Sequence, residues 1–280
     1  MGRRRWWGAV AAAAACALLI GPSAPSGPLV SDPLPLPADA ARDIVPDRVM
    51  TWNLCNPCGS GQNPGRAADI ATYAPQVVAL QEACVRDVEE IRRQLRTFYG
   101  LDYHVEYGSV LRDWGRCGGL PWSPGGYGQA ILSAAPITDP VTTEYPDGGS
   151  EDRGYLAVTT AVAGRPTRVF NTHLAQFSQE SVRERQIKVF AKEVARHEHT
   201  IALGDFNAVP DAPELAPMWR LAKDADPDCH PAPALGCATT TDWSSKFDYV
   251  FLRGHTAREH AVHHSEFSDH HQFMADVERT

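Results

Sequence analysis

At five places in this sequence, an apolar run is bordered by polar side chains that could bind a metal ion or a phosphate. Asn171-Thr172-His173-Leu174 and Gly204-Asp205-Phe206-Asn207 each close an apolar, β-branched segment. Asn53 and Glu82 also follow apolar runs, and Asp269-His270 precedes the last one. Because such a run predicts a buried strand, each polar group would lie at the rim of a sheet. Five such strand ends predict one catalytic rim.

Glu82, Asp205 and Asn53 offer carboxylate and amide oxygens without a thiolate among them. That donor set suits a hard divalent cation, with Mg²⁺ first and Mn²⁺ or Ca²⁺ as alternatives. A single Asp or Asn at a strand end more often serves as a turn or a cap. The combination with two histidine-bearing strand ends is what favours a site over separate turns.

His173 and His270 can exchange protons near neutral pH, and a nearby carboxylate could fix the tautomer of either ring. Asp248 is a polar residue inside an apolar strand, with a turn at the start of the strand as the alternative to a functional role. Three further histidines lack such a context and are predicted to be surface or packing residues: His263, His264 and His271.

The apolar patterns predict more strands than helices. Helices are expected near 65–73, 85–97 and 178–196, each after a strand end. The connections 108–127 and 208–246 are too long to be simple turns and are typical of substrate-recognition loops. These elements predict a mixed α/β sandwich, with ten strands expected near 48–53, 76–81, 102–107, 128–133, 154–162, 166–171, 200–204, 247–252, 257–263 and 271–277.

The N-terminal segment has the pattern of a secretory signal. Arg3-Arg4-Arg5 precedes an apolar stretch from Trp6 to Ile20, and small residues follow. We therefore expect a signal peptide over 1–24, a Pro/Ala-rich linker over 25–46, a catalytic domain over 47–280 and an extracellular protein. An uncleaved membrane anchor is the alternative for the apolar stretch.

Six cysteines remain beyond the predicted signal, an even number that suits disulfides in an oxidising compartment. Only Cys229 and Cys237 are close enough in sequence for their pairing to be favoured, and the other pairings stay open. Cys55-x-x-Cys58 could instead indicate zinc or redox chemistry, but no second Cys-x-x-Cys completes a zinc site.

Composition sets the broad class. With 280 residues, 43% hydrophobic and 21% charged, the chain is long enough for one large globular domain. The net charge of -8 argues against binding through a broad basic surface. It does not exclude a nuclease, because a divalent cation and a few arginines can neutralise one phosphate.

Taken together, the motifs resemble the endonuclease/exonuclease/phosphatase superfamily, and in particular its deoxyribonuclease I-like members. The resemblance extends from about residue 48 to 278 and implies an α/β fold, a four-layer α/β/β/α sandwich of two packed mixed sheets. It is carried by seven motifs in family order: Thr51-Trp52-Asn53, Leu80-Gln81-Glu82, Ile131-Leu132-Ser133, Asn171-Thr172-His173-Leu174, Gly204-Asp205-Phe206-Asn207, Phe247-Asp248-Tyr249 and Ser268-Asp269-His270.

The resemblance also implies roles for the acidic and amide residues. Glu82 would be the main metal ligand, helped by Asn53 and Asp269. Asp205 and Asn207 would orient the attacking water and hold the phosphate.

For the remaining residues, the resemblance implies that His270 acts as general base with Asp248 orienting its ring. His173 would hydrogen-bond a phosphoryl oxygen or assist the leaving group. Arg153 is similar to a phosphate-contacting arginine of some members, with an exposed, solvated arginine as the alternative. Gln129 stands where the family often has asparagine, beside the substrate phosphate.

These observations predict a secreted, metal-dependent phosphoesterase that hydrolyses a phosphodiester, with DNA or RNA as the leading substrate. The 108–127 loop combines basic and aromatic residues, and Trp114 and Trp122 are expected to contact substrate, unless they pack on the sheet. The alternatives are a sphingomyelinase, an inositol-phosphate phosphatase, or a catalytically silent binding or toxin module. We expect a monomer. We also expect no stable membrane association, because the sequence shows no contiguous apolar hairpin that could insert.

Overall fold

The computed structural model describes residues 33–229 and 236–280. The predicted signal peptide 1–24 and residues 25–32 of the predicted linker therefore lie outside the described residues. Among the described residues, no helix is both long and apolar enough to span a membrane.

Residues 33–44, the described part of the predicted linker before the first strand, contain no helix or strand. This segment nevertheless lies against the domain. Leu36, Ala41 and Ile44 pack on the adjacent hydrophobic core, and the Ala41 amide donates to the Thr72 carbonyl at 2.8 Å.

The described residues form fourteen strands and five α-helices, at the following bounds. The strands are β1 (Val45–Asn53), β2 (Pro75–Cys84), β3 (His104–Arg112), β4 (Gly119–Leu120), β5 (Ser123–Pro124), β6 (Gly126–Ser133), β7 (Thr138–Glu144), β8 (Gly154–Val162), β9 (Arg165–His173), β10 (Thr200–Asp205), β11 (Lys223–Asp224), β12 (Asp248–Arg253), β13 (His255–His263) and β14 (Gln272–Arg279). The helices are α1 (Asn63–Tyr73), α2 (Val85–Tyr99), α3 (Trp114–Cys117), α4 (Glu180–Val194) and α5 (Ala216–Trp219).

Two six-stranded mixed sheets form the centre of the domain. The first has the strand order β13-β14-β1-β2-β6-β3, and the second has the order β11-β12-β10-β9-β8-β7. Each sheet contains one parallel pair, β1 with β2 and β9 with β10, among antiparallel neighbours. Parallel neighbours end at the same sheet edge, and this topology therefore gathers the ends of β1, β2, β9 and β10.

Alternating side chains of the strands build three layers of core. In β2, Ala79 faces the other sheet while Leu80 faces the helices, as the two-residue period of a strand requires. Leu80 packs with Ile70 of α1 and Ile91 of α2, and on the opposite face of the molecule α4 covers the second sheet. The predicted four-layer α/β/β/α sandwich is confirmed.

Two buried amides join the sheets just below the rim. Gln81 Nε2 donates to Asn171 Oδ1 at 2.7 Å, across from β2 to β9. Asn171 Nδ2 in turn donates to the carbonyls of Leu80 and Ala130, both at 2.9 Å. A buried amide without a hydrogen-bond partner destabilises the folded protein. These contacts therefore fix the register between the two sheets.

The six cysteines predicted to be oxidised form three disulfides, Cys55–Cys58, Cys84–Cys117 and Cys229–Cys237. The favoured Cys229–Cys237 pairing is present. Since Cys55 and Cys58 are bonded to each other, they offer no thiolates for the alternative zinc site. Cys84–Cys117 ties the 108–127 loop to the end of β2.

Candidate active site

Strand ends from both sheets converge at one edge of the sandwich. In the parallel pairs, Asn53 is level with Gln81, and Asp205 is level with His173. The antiparallel pair β10–β12 places Asp248 opposite Asp205. Polar residues at the ends of buried strands therefore meet here, as the positions of the motifs predicted.

Asn53 links the two carboxylates at the centre of this rim. Its Nδ2 donates to Asp205 Oδ2 at 3.0 Å and to Glu82 Oε1 at 3.4 Å, while its Oδ1 accepts from the Cys55 amide. The Asn56 amide donates to Glu82 Oε2 at 3.0 Å. In this arrangement Asn53 donates to both carboxylates, and the oxygens of Glu82 and Asp205 could serve as ligands of a cation.

The positive charge near the Asp205 carboxyl group is too small to keep its pKa at the usual value. Burial raises its pKa to about 7, and the neighbouring Asp248 raises it as well. The charge of His270 and hydrogen bonds from Asn53 and the Asn207 amide oppose that rise without cancelling it. A cation at this rim would supply the missing positive charge.

His270 is held between two carboxylates. Its Nδ1 lies 2.9 Å from Asp248 Oδ2, and its Nε2 lies 3.8 Å from Asp205 Oδ2. Burial lowers the pKa of His270, but the charges of Asp248 and Asp205 outweigh burial and raise it to about 10. Without a bound metal, the ring is therefore an imidazolium at neutral pH.

His173 is in the opposite protonation state. Arg153 Nη1 lies 3.1 Å from His173 Nδ1, and because a guanidinium only donates, Nδ1 carries the lone pair. The ring proton is then on Nε2, 3.3 Å from Asp205 Oδ2. Burial lowers the pKa of His173 well below its usual value, and the charges of Arg153 and His270 lower it further. His173 is a neutral donor with a fixed tautomer.

Asn207 completes the central set from the turn after β10. It has a left-handed backbone, with φ of 50°. Its amide donates to Asp205 Oδ1 at 2.8 Å, and its Nδ2 lies 3.1 Å from both His173 Nε2 and the Leu174 carbonyl. Asparagine tolerates this conformation better than most residues, which fits its place in the motif.

Arg153 is buried, at 3% exposure, which excludes the alternative of a solvated surface arginine. Glu151 forms ion pairs with both Arg153 and Arg116. The guanidinium of Arg116 also lies 4.4 Å from the centre of the Tyr127 ring. A continuous set of contacts thus connects His173 to the 108–127 loop. Sequence reasoning missed Glu151, since nothing in its local pattern predicts two arginine partners.

The residues around Asp248 and His270 include two others that sequence reasoning missed. Thr240 Oγ1 accepts from the backbone amides of Phe247 and Asp248, both at 3.1 Å, and so fixes the start of β12. The Trp243 ring meets His270 edge-on, with ring centres 5.4 Å apart. Both belong to the long 208–246 connection, whose length was the only signal for a functional loop.

The predicted substrate-binding residues lie in different environments. Gln129 is buried on β6, and its Oε1 has no hydrogen-bond partner among the described residues. Trp114 and Trp122 are 55% and 80% exposed, which excludes the alternative that they pack on the sheet. The structure also forms a short β4–β5 hairpin that carries Leu120 and Trp122 at its tip.

The third predicted metal ligand, Asp269, lies at the same edge but outside this hydrogen-bonded set. Its carboxylate is beside the sulfurs of Cys55 and Cys58, with the potential ligand atoms within 4.8 Å of one another. Since those sulfurs are oxidised, Asp269 is the only one of the three that can bind a cation. Another group of three side chains, Asp205, Asp248 and His270, also has its potential ligand atoms within 4.8 Å of one another.

Comparison with known proteins assigns the family. The sequence profile of the Endonuclease/Exonuclease/phosphatase family matches residues 50–270, a range that contains every strand end described above. The chain belongs to this family. The recognition made from the seven motifs is thereby confirmed, and members of the family hydrolyse phosphoester bonds.

Solved structures with the same fold include D. rerio TDP2 complexed with a single-strand DNA product, an endonuclease/exonuclease/phosphatase from Beutenbergia cavernae and the human nocturnin catalytic domain with bound sulfate. They are 19%, 22% and 20% identical to this chain, with TM-scores of 0.64, 0.63 and 0.64. The matches cover 82%, 83% and 84% of this chain and 98%, 71% and 94% of the others. A comparison with curated protein sequences found no match.

The two site histidines should titrate far apart in metal-free protein. We expect His270 to lose its proton near pH 10 and His173 to stay neutral above its lowered pKa. Since the pKa of His270 is raised on folding, its contribution to stability is complete below about pH 6.5 and is lost as the pH rises to about 10. Nuclear magnetic resonance of the ring nitrogens in chelator measures both values.

Asp248→Asn is the matched variant for that measurement. It removes the charge nearest to Nδ1 and should lower the pKa of His270, while leaving the tautomer of His173 unchanged. A neutral His270 at pH 7 in the wild-type protein would contradict the charge arrangement described here.

Proposed function

We propose that this family member is a secreted, divalent-cation-dependent phosphodiesterase whose substrate is nucleic acid. The observation that supports it best is the convergence of Glu82, Asp205, His173 and His270 on one rim. Carboxylates, a neutral imidazole and an imidazolium gathered around Asp205, with the two rings 3.3 Å and 3.8 Å from its Oδ2, are groups that phosphoryl hydrolysis needs.

The donor set fits a hard cation. Glu82 and Asp269 are partly exposed carboxylates, and burial together with the charge of Asp248 raises the pKa of Asp205, a rise that a nearby cation would oppose. A divalent cation held by Glu82, with Asp205 and Asp269 beside it, would offset that charge and polarise the phosphoryl group.

The side chains of the rim then bind the phosphate, orient the water and accept its proton. Asn207 Nδ2 and the Nε2 proton of His173 can donate to phosphoryl oxygens, and Arg153 keeps His173 in the tautomer that donates. Asp205 orients the attacking water. His270 becomes a proton acceptor only when added positive charge lowers its pKa, and Asp248 then stabilises the imidazolium that forms.

Nucleic acid is favoured by the surface next to this rim. The two exposed tryptophans of the 108–127 loop provide flat faces on which bases can stack, and Arg116 lies between them in sequence. D. rerio TDP2, which shares the fold, was solved with a single-strand DNA product. Export is supported by the N-terminal signal pattern and by the three disulfides.

A second candidate is hydrolysis of a phospholipid headgroup. It is favoured by the β4–β5 hairpin, whose tip exposes Leu120 and Trp122 to solvent. Apolar and tryptophan side chains of this kind suit the surface of a bilayer.

The test of the proposed function is a panel of substrates with purified protein. Single-stranded DNA, duplex DNA, RNA, sphingomyelin vesicles and inositol phosphates are incubated with Mg²⁺, and again with chelator. We expect cleavage of nucleic acid that chelator abolishes. Cleavage of sphingomyelin alone would establish the second candidate, and activity that survives chelation would exclude the proposed chemistry.

Replacing Trp114 and Trp122 together by Ala should raise the KM for a nucleic-acid substrate by about ten-fold or more, because each stacked base is worth about 1–3 kcal/mol. Turnover of a small generic phosphodiester should change little, since that substrate does not reach the loop. Steady-state kinetics on both substrates measures the difference. Equal losses on the two substrates would show that the tryptophans act on the fold rather than on recognition.

A further inference from the structure

A third cluster of potential metal ligands lies outside the set used in the proposed mechanism. Asp242 Oδ1 is 3.6 Å from His264 Nε2 and 3.8 Å from His271 Nδ1. The two imidazole rings lie with their centres 4.9 Å apart. All three potential ligand atoms are within 4.8 Å of one another.

These separations are close to those between the ligands of a tetrahedral metal ion. Zinc binds imidazole nitrogen and carboxylate oxygen at about 2.0–2.2 Å, which places neighbouring ligand atoms about 3.3–3.5 Å apart. The observed 3.6 Å and 3.8 Å exceed this by a few tenths of an ångström. Asp242 and His264 are exposed, so their side chains can close that difference.

A second observation points to a ligand on His271. Its side chain is only 12% exposed, and Nδ1 is buried without a hydrogen-bond partner among the described residues. The distance from Nδ1 to Asp242 is too long for a hydrogen bond. A buried polar atom without a partner is uncommon in a folded protein, and a metal ion facing Asp242 would satisfy it.

We propose that Asp242, His264 and His271 form a second metal site, which binds a borderline transition-metal ion of the Zn²⁺ class. Two imidazoles with one carboxylate prefer such ions, whereas the oxygen ligands of the catalytic rim prefer Mg²⁺. The fourth position of the ion is open to solvent, because two of the three ligands are exposed.

An ion at this site would join two segments that carry active-site groups. Asp242 and Trp243 belong to the connection before β12, and the Asp242 amide already donates to the Asp269 carbonyl at 3.0 Å. His264 and His271 flank the segment that contains Asp269 and His270. Zinc would therefore stabilise the edge of the rim without occupying its centre.

Isothermal titration of the full chain with Zn²⁺, in saturating Mg²⁺, tests the site. Wild-type protein should bind one Zn²⁺ that His264→Ala binds at least about ten-fold more weakly. His263→Ala is the matched control, because the neighbouring His263 stacks on Tyr73 and is not a ligand. Glu82→Gln should retain the same Zn²⁺ binding, which separates this site from the catalytic rim.

Two further measurements test the site in the wild-type protein, so that the result does not depend on whether His264→Ala folds. Free Zn²⁺ at about 100 times its Kd should raise the Tm of wild type by roughly 5–10 °C and that of Asp242→Ala by much less. X-ray absorption of the zinc-loaded wild type should show nitrogen and oxygen ligands. Equal Zn²⁺ affinity in wild type and His264→Ala, or Zn–S bonds at about 2.3 Å from reduced cysteines, would overturn the assignment.

Discussion

Glu82→Gln should lower kcat for phosphodiester hydrolysis by about 10²- to 10³-fold or more, with little change in the free energy of unfolding. The amide keeps the shape of the side chain but removes the charge that would hold a divalent cation. Glu82 is partly exposed and, within the described part of the chain, accepts from Asn53 and Asn56 alone, so the substitution removes little packing. Steady-state kinetics and denaturant unfolding measure the two effects.

Chelation of the wild-type enzyme should reproduce the loss of activity, and added Mg²⁺ should restore it. Glu180→Gln is the matched control, since Glu180 is an exposed glutamate at the start of α4 with no hydrogen bond or ion pair to a rim residue among those described. Unchanged turnover in Glu82→Gln, or full activity in chelator, would be incompatible with a cation held by Glu82.

Much of the rim could be predicted from sequence, because each of its residues ends or begins an apolar run. The run before Asp205, for example, is β10 as observed, Thr200–Asp205. Where such strands are parallel neighbours, their ends must meet at one edge. Within each sheet this places Asn53 beside the end of β2 and His173 beside Asp205, and the packing of the two sheets then brings the two pairs together.

Contacts between side chains far apart in sequence could not be predicted in the same way. Arg153 is buried between Glu151 and His173, which excludes the solvated alternative, while its predicted contact with a phosphate stays a prediction. The amide of Asn53 donates through Nδ2 to two carboxylates and accepts from the Cys55 amide through Oδ1, contacts that no local pattern indicates. Its role as a metal ligand stays a prediction. Both sets of contacts depend on which hydrogen-bond partners the fold brings together.

The unpredicted strand β7 has a different explanation. Thr138–Glu144 is the edge strand of the second sheet, and its side chains are mostly exposed. It contains Pro140, and it lacks the alternation that marks a half-buried strand. An edge strand tolerates proline and does not need the alternation, because only one of its sides is paired.

His173→Ala and His270→Ala should each lower kcat by about 10²- to 10⁴-fold, the usual range for a group that moves or donates a proton in the transition state. The neutral His173 and the charged His270 both contact Asp205, at 3.3 Å and 3.8 Å. Because they share that carboxylate, we expect them to act as a unit. The double variant should then be little slower than the slower single variant.

Stability must be measured beside activity for the His270 variant. Its imidazolium lies between two buried carboxylates, and removing it takes away the positive charge that faces both of them. His270→Gln therefore accompanies His270→Ala, since glutamine can still donate to Asp248, and His104→Ala is the control at an exposed histidine of β3. Small losses that multiply in the double variant would instead mean that the two histidines act independently, with at least one serving the fold.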